Sequence, residues 1–325
     1  MQTRREFFKA AAAAAALPVL GGCFGKKELT SNPTLAKLYA TTPFDVNETR
    51  LAAFAEIQAA ADECTKEDFD AYRARRTKSP EARVSGAPKA ADIIEDAAEK
   101  ILAEIDALPR PDDFVRLWLV YNMGYIVQTP TSIFGIDISV PCSRKIADKL
   151  DFLLITHNHT DHFDNALIKD MGEKPVVANF IENKYQLKGD AASMKFGNIE
   201  IAARLVDHGT GKKLKKFVNA YDIVCADTSK KIRIFHAGDA GRAEELATDA
   251  PVDIFTGHVS VGLKFNKAVE LTKPTLFLMS HLLELSHHKH QWRWSLQVGL
   301  KKCALVEGAQ TVMPMWGEKI EFKKA

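Results

Sequence analysis

The chain has 325 residues, 46% hydrophobic and 26% charged, a composition that supports a large buried core and leaves no disordered bulk. Its formal net charge is +2, and Arg4, Arg5 and Lys9 against Glu6 already account for that excess. The rest lacks the basic surplus of a nucleic-acid-binding protein, so no nucleic-acid partner is expected.

Residues 3–9 carry Arg4, Arg5 and Lys9 and precede an alanine-rich apolar run over residues 10–20. That run falls short of the roughly 20 residues that a membrane-spanning helix needs, and it reads as an export signal. The arginine pair resembles a twin-arginine translocation signal, which moves folded chains. Leu20-Gly21-Gly22-Cys23 resembles a lipoprotein processing site, which implies acylation of Cys23. Phe24 supplies no acidic retention signal, so the membrane that holds the anchor stays open. The reading is a signal peptide over 1–23, a tether and helical extension over 24–110, and a catalytic domain over 111–325. It places the protein on the bacterial envelope, facing the periplasm or cell exterior. A plain cleaved signal with an incidental cysteine is the alternative.

Residues 26–42 are polar and read as the tether. From 46 to 108 apolar residues recur at helical spacing, as in Leu51, Phe54, Ile57 and Ala61, and in Ile93, Ile94, Ala97, Ile101 and Ile105. Between these sets, residues 73–88 are rich in Arg, Lys, Ser, Pro and Gly and read as a loop. Its cluster Arg73, Arg75, Arg76 and Lys78 reads as a solvated face. Pro109 and Pro111 close the helical region. Apart from Cys23, the cysteines are Cys64, Cys142, Cys225 and Cys303, with wide spacings and no CxxC pair. Most read as buried apolar residues, with Cys142 in a loop near the site described next.

Strand-like runs begin at residue 114 and cover 114–121, 125–129, 133–138, 152–156, 176–178, 199–206, 223–226, 232–235, 254–256 and 275–279. Helices are expected over 163–171, 179–187 and 294–306. This alternation predicts an α/β protein with sheets covered by helices.

The chemistry lies in Thr156-His157-Asn158-His159-Thr160-Asp161-His162, directly after the apolar run at 152–155. On a helix His157 and His159 would point about 200° apart, whereas a tight loop leaving a strand lets all four candidates converge. Imidazoles and a carboxylate suit zinc and similar divalent metals. His208, Asp239 and His281 each follow another strand-like run, so several strand ends deliver candidates to one edge. Gly209 and the His236-Ala237-Gly238-Asp239 turn offer His208 and Asp239 plain turn roles as competitors. His281 has rivals in His287, His288 and His290. His236 is a candidate partner of Asp239, and His258 a candidate lining of the cleft.

The HxHxDH motif with a later histidine, an aspartate in a GDxG setting and a final histidine resembles the metallo-β-lactamase superfamily. The resemblance covers about residues 114–325 and implies an αββα sandwich carrying two metals at the sheet edge. By motif, His157, His159 and His208 would hold one metal, Asp161, His162 and His281 the other, and Asp239 would bridge them. Later ligand spacing is similar to the branch that contains ascorbate-phosphate lactonase and N-acyl-phosphatidylethanolamine phospholipase D, where a preceding strand carries an aspartate, here Asp137. Two cations roughly 3.5–4 Å apart would activate a shared hydroxide, with Asp161 orienting it or passing a proton.

The chain departs from other branches. Phe163-Asp164 stands where glyoxalase II enzymes carry glycines, His159 stands where flavin-linked diiron relatives carry a glutamate, and no large inserted nuclease domain fits. The expectation is a hydrolase of an ester, phosphodiester or lactone in a small or lipid-derived substrate, with zinc first and manganese or iron as alternatives. A non-catalytic metal-binding envelope protein and a true β-lactamase are the rival readings. Trp292 and Trp294 form either an aromatic wall over the cleft or the inward face of a helix.

Overall fold

The computed structural model describes residues 30–79, 83–211, 213–289 and 291–325. The predicted export signal, Cys23 included, and His290 lie outside these residues. Among the described residues, no helix is long and apolar enough to cross a membrane.

Two sheets form the body. One has the strand order β13-β1-β2-β3-β4-β5, with β1 Val115–Tyr121, β2 Gly124–Gln128, β3 Ile133–Ile136, β4 Phe152–Leu154, β5 Val176–Val177 and β13 Lys319–Phe322. The other has the order β12-β11-β10-β9-β8-β7-β6, with β6 Ala191–Phe196, β7 Ile199–Val206, β8 Val218–Cys225, β9 Ile232–His236, β10 Ile254–His258, β11 Leu276–Ser280 and β12 Gln310–Val312. The strands β1 to β4, β10 and β11 are buried along their whole length, so they read as apolar runs rather than alternating patterns. β7 alternates instead, because one of its faces meets solvent.

Helices α1 Pro33–Tyr39, α2 Glu48–Glu63, α3 Lys66–Lys78 and α4 Lys89–Ala107 precede the first strand, and α5 Asn165–Asp170, α6 Phe265–Thr272 and α7 Leu296–Cys303 lie between strands. α4 packs on β1 and α7 on β11, so each sheet carries helices on its outer side, giving the αββα metallo-β-lactamase sandwich. The helical region shares one continuous hydrophobic cluster with the sheets, from Leu35 and Ile57 to Trp118 and Trp316. A buried ion pair fastens it further. Arg50 of α2 donates to Glu318 Oε2 at 2.6 Å and to the Met313 carbonyl at 3.1 Å, while Glu318 also accepts from the Met315 amide. Removing one partner of such a pair costs about 3–5 kcal/mol, because the other charge stays buried.

Several expectations need correction. The polar tether contains α1, whose Asn32 caps the amides of Thr34 and Leu35 ahead of Pro33, and whose Leu35 and Leu38 are buried. Residues 73–78 belong to α3 rather than to a loop, held by a capping box from Thr65 and Asp68. Of that basic cluster, Arg76 is buried against Glu95 rather than solvated. Residues 179–187 form turns, not a helix. Strands β6, β12 and β13 went unread, being short or edge strands with half-exposed residues. Cys142 lies in a 3-10 segment, Pro141–Lys149, rather than facing the site; burial, and then the nearby Glu95 carboxylate, push its thiol up to about 12. Cys64, Cys142, Cys225 and Cys303 are free thiols.

Candidate metal centre

Strand direction builds the site. β3 and β4 run parallel in one sheet, as do β9, β10 and β11 in the other, and β7 shares their direction through the antiparallel β8. Their C-terminal ends deliver Asp137 after β3, His157 after β4, His208 after β7, Asp239 after β9, His258 at the end of β10 and His281 after β11. Rigid strand ends hold a multi-residue site better than mobile loops do. The two sheets are tied at this edge by the Asn219 side-chain amide, which donates to the Thr156 carbonyl at 3.0 Å, and by Tyr221, whose hydroxyl donates to the Ile155 carbonyl at 2.7 Å.

All seven sequence candidates meet here in two adjacent groups. In the first, one ligand-type atom each of His157, His159, His208 and Asp239 lie within 4.8 Å of one another; in the second, those of Asp161, His162 and His281 do. Asp239 spans both. Its Oδ2 is 3.2 Å from His208 Nε2 and 3.8 Å from both His157 Nε2 and His281 Nε2, while its Oδ1 is 3.2 Å from His162 Nε2. His281 Nε2 also lies 3.0 Å from Asp161 Oδ2.

These atoms are close without being satisfied. His162 Nε2, His208 Nε2 and Asp239 Oδ1 are buried and have no hydrogen-bond partner among the described residues. Buried polar atoms left in this way cost free energy, and divalent cations held by the two groups would relieve them. The donor set of imidazole nitrogens and carboxylate oxygens therefore fits a divalent metal and selects weakly among zinc, manganese and iron.

Electrostatics follow the same geometry. Burial, reinforced by His162, holds the His157 pKa well below its usual value, and burial with His208 lowers that of His159. Burial opposes a charge on His162 too, but the carboxylates of Asp239, Asp161 and Asp137 outweigh it and raise its pKa well above the ordinary range. Burial likewise works against ionised Asp239, yet His162, His281 and His258 hold it well below the usual carboxylate range.

Asp137 supports the cluster from behind. It adopts a left-handed backbone (φ 48°), which aspartate tolerates better than most residues, and its Oδ1 accepts from the Thr156 amide at 2.7 Å. Its Oδ2 contacts the Thr156 hydroxyl, His162 Nδ1 and His236 Nε2. His236 thus partners Asp137 and Thr256 rather than Asp239.

Asn122 and Phe217 escape the sequence reading, which gives His258 a place lining the cleft but no ligand role. Asn122, at the β1–β2 turn with φ 53°, donates from its amide to the Asp161 carbonyl and Oδ2, both at 3.2 Å. His258 stacks on His281 with ring centroids 3.9 Å apart and approaches Asp239 and His281 as a further ligand-type group. Phe217 packs against the rings of His157, His159 and His208. An asparagine before Met-Gly in a hairpin was the one local signal for Asn122. Trp292, on a turn, is 65% exposed, and Trp294, in the irregular segment before α7, is half-buried, so neither lies on an inward-facing helix.

The architecture is thus a metallo-β-lactamase, hydrolase-like fold with His/Asp clusters at the C-terminal edge of its strands. Residues 122–275 match the family described as beta-lactamase superfamily domain. Among solved structures, the chain is similar to Igni18, a novel metallo hydrolase from the archaeon Ignicoccus hospitalis, at 16% identity and a TM-score of 0.51, covering 65% of this chain and 100% of that one. It is also similar to CmlA, a diiron beta-hydroxylase from Streptomyces venezuelae, at 12% identity and a TM-score of 0.48, covering 66% of this chain and 55% of that one.

Proposed function

We propose that the protein is a metal-dependent hydrolase with a dinuclear centre that acts on an ester, phosphodiester or lactone. His157, His159 and His208 hold one cation, Asp161, His162 and His281 hold the other, and Asp239 lies between them. The observation that carries this reading is the two-sided reach of Asp239, one oxygen toward His208 and the other toward His162. When bound, two divalent cations polarise the scissile bond and bring a shared water's pKa toward neutrality. Zinc is the first choice, with manganese and iron as alternatives.

The protein's own groups do the rest. Asp161, fixed by Asn122 and His281, stands where it can orient the attacking water and take its proton. Asp137 turns His162 so that Nε2 faces Asp239. Phe217 shields the first histidine group from bulk water on one side.

The Arg4-Arg5 pair and the Leu20–Cys23 motif support export and a lipid anchor at Cys23, which places the site at an envelope surface and favours a membrane-derived substrate. Metal analysis of purified protein, together with turnover of diester, monoester and lactone probes, tests the proposal. We expect two divalent ions per chain, and loss of turnover with retained folding in Asp161→Ala. Protein that takes up no metal overturns it. Equal turnover of phospholipid-like and soluble diesters removes the membrane part alone.

A further inference from the structure

We propose that His287, oriented by Glu284, is a substrate-contacting residue at the rim of the metal centre. The inference rests on the hydrolase reading above and adds a residue which that reading does not use.

The loop after β11 carries His281, Glu284 and His287 at three-residue intervals without being helical. His281 and Leu283 take left-handed backbone conformations (φ 66° and 55°), so the chain doubles back and brings Glu284 and His287 to the Asp161 side of the site. One ligand-type atom each of Asp161, Glu284 and His287 lie within 4.8 Å of one another.

Glu284 is wholly buried, and its oxygens are already engaged. Oε1 accepts from the Tyr121 hydroxyl at 3.1 Å and from the Ser286 amide at 2.8 Å, and Oε2 bonds His287 Nδ1. A carboxylate satisfied in this way is an orienting group rather than a free metal ligand. With Nδ1–H committed to it, Nε2 becomes the working edge of His287. Nε2 has no hydrogen-bond partner among the described residues, and the side chain is 35% exposed.

The loop does not need this pair to hold its shape. Buried Arg293 donates to the carbonyls of Glu284, Leu285 and His287 at 3.1, 2.9 and 2.6 Å, and to those of Ala61 and Cys64 at 2.9 and 2.7 Å, which locks the loop to the end of α2. Burying a carboxylate costs several kcal/mol. Here its charge is spent on aiming one half-exposed imidazole beside Asp161. That arrangement suits contact with a polar oxygen of the substrate, such as a phosphoryl or leaving-group oxygen.

The test uses the full chain loaded with zinc, bis(p-nitrophenyl) phosphate as turnover probe and inorganic phosphate as binding probe. His287→Asn keeps an amide near the Nδ1 position and loses Nε2; His287→Gln restores a polar group near Nε2. The expected result for His287→Asn is unchanged zinc content and melting temperature, kcat/KM lower by about 100-fold, and phosphate binding weaker by about tenfold or more. His287→Gln should recover part of both. The proposal is overturned if His287→Asn keeps both values within about twofold of the parent, if it loses zinc, or if the parent binds no phosphate. If the parent turns over no probe of any class, the hydrolase reading fails, and phosphate binding still decides the His287 contact.

Discussion

Asp137 Oδ2 lies 2.9 Å from His162 Nδ1, and both side chains are fully buried. This contact holds a proton on Nδ1, so that Nε2, which faces Asp239, is the nitrogen that a metal would take in exchange for its proton. A carboxylate behind a metal-binding imidazole sets both its tautomer and its orientation, and its loss typically costs about 10–100-fold in metal affinity. Asp137→Asn keeps an oxygen for the Thr156 amide but weakens the hold on His162. Zinc affinity, measured by competition with a chromogenic chelator, should fall by about that factor while the fold persists. An unchanged affinity would show that His162 is held by packing alone.

The raised pKa of His162 links metal uptake to pH. Burial works against its charge, and the carboxylates of Asp239, Asp161 and Asp137 overcome it, so the metal-free protein carries a protonated His162 at neutral pH. The lowered pKa values of His157 and His159 mean that those rings are already neutral and compete with no proton. A metal must displace the proton from His162, so affinity rises with pH and binding releases acid. Calorimetry of zinc addition in buffers of different ionisation enthalpy should show this release. Affinity should weaken from about pH 8 to about pH 6. A binding enthalpy independent of buffer would refute the protonated state.

The site was legible in the sequence where its residues are neighbours in the chain, and where an apolar strand plainly ended before a candidate. His157, His159, Asp161 and His162 come from one loop, and His208, Asp239 and His281 each follow a strand that is buried or half-buried along its length. The ligand-type placement of His258, read only as a cleft lining, and the role of Asn122 were not legible, because they depend on which strands lie side by side and on how one hairpin folds back. His287 reads from the sequence as a rival to His281 and Glu284 draws no reading, since their spacing has meaning only with the left-handed turns at His281 and Leu283. The helix α3 was half missed for a different reason. Its only buried residues are Phe69, Tyr72 and Arg76, so apolar periodicity is faint, and the readable signal was the capping box at Thr65 and Asp68. In α1, seven residues were too few for a pattern, and Asn32-Pro33 was the cue.

Gly241 sets the distance between the loops that carry His208 and Asp239. The Gly209 amide donates to the Asp239 carbonyl at 3.0 Å, and the Gly241 amide to the Asp207 carbonyl at 3.2 Å, so the two loops lie edge to edge. A Cβ at Gly241 would stand 2.1 to 2.3 Å from the backbone C, O and Cα of Gly209, with no flexible side chain to give way. Overpacking in a tight core costs about 1–3 kcal/mol and sometimes more, and a backbone-on-backbone clash belongs at the upper end. Gly241→Ala should therefore destabilise the protein by about 3 kcal/mol and weaken metal binding, because relief requires Asp239 to move away from His208. Gly211 is the control. It lies near the same edge, a Cβ there meets nothing within 4 Å, and Gly211→Ala should leave both properties unchanged. Chemical denaturation and zinc titration of the two variants make the comparison. If Gly241→Ala retained parental stability and zinc affinity, the loops would have to be free to separate without disturbing the metal centre.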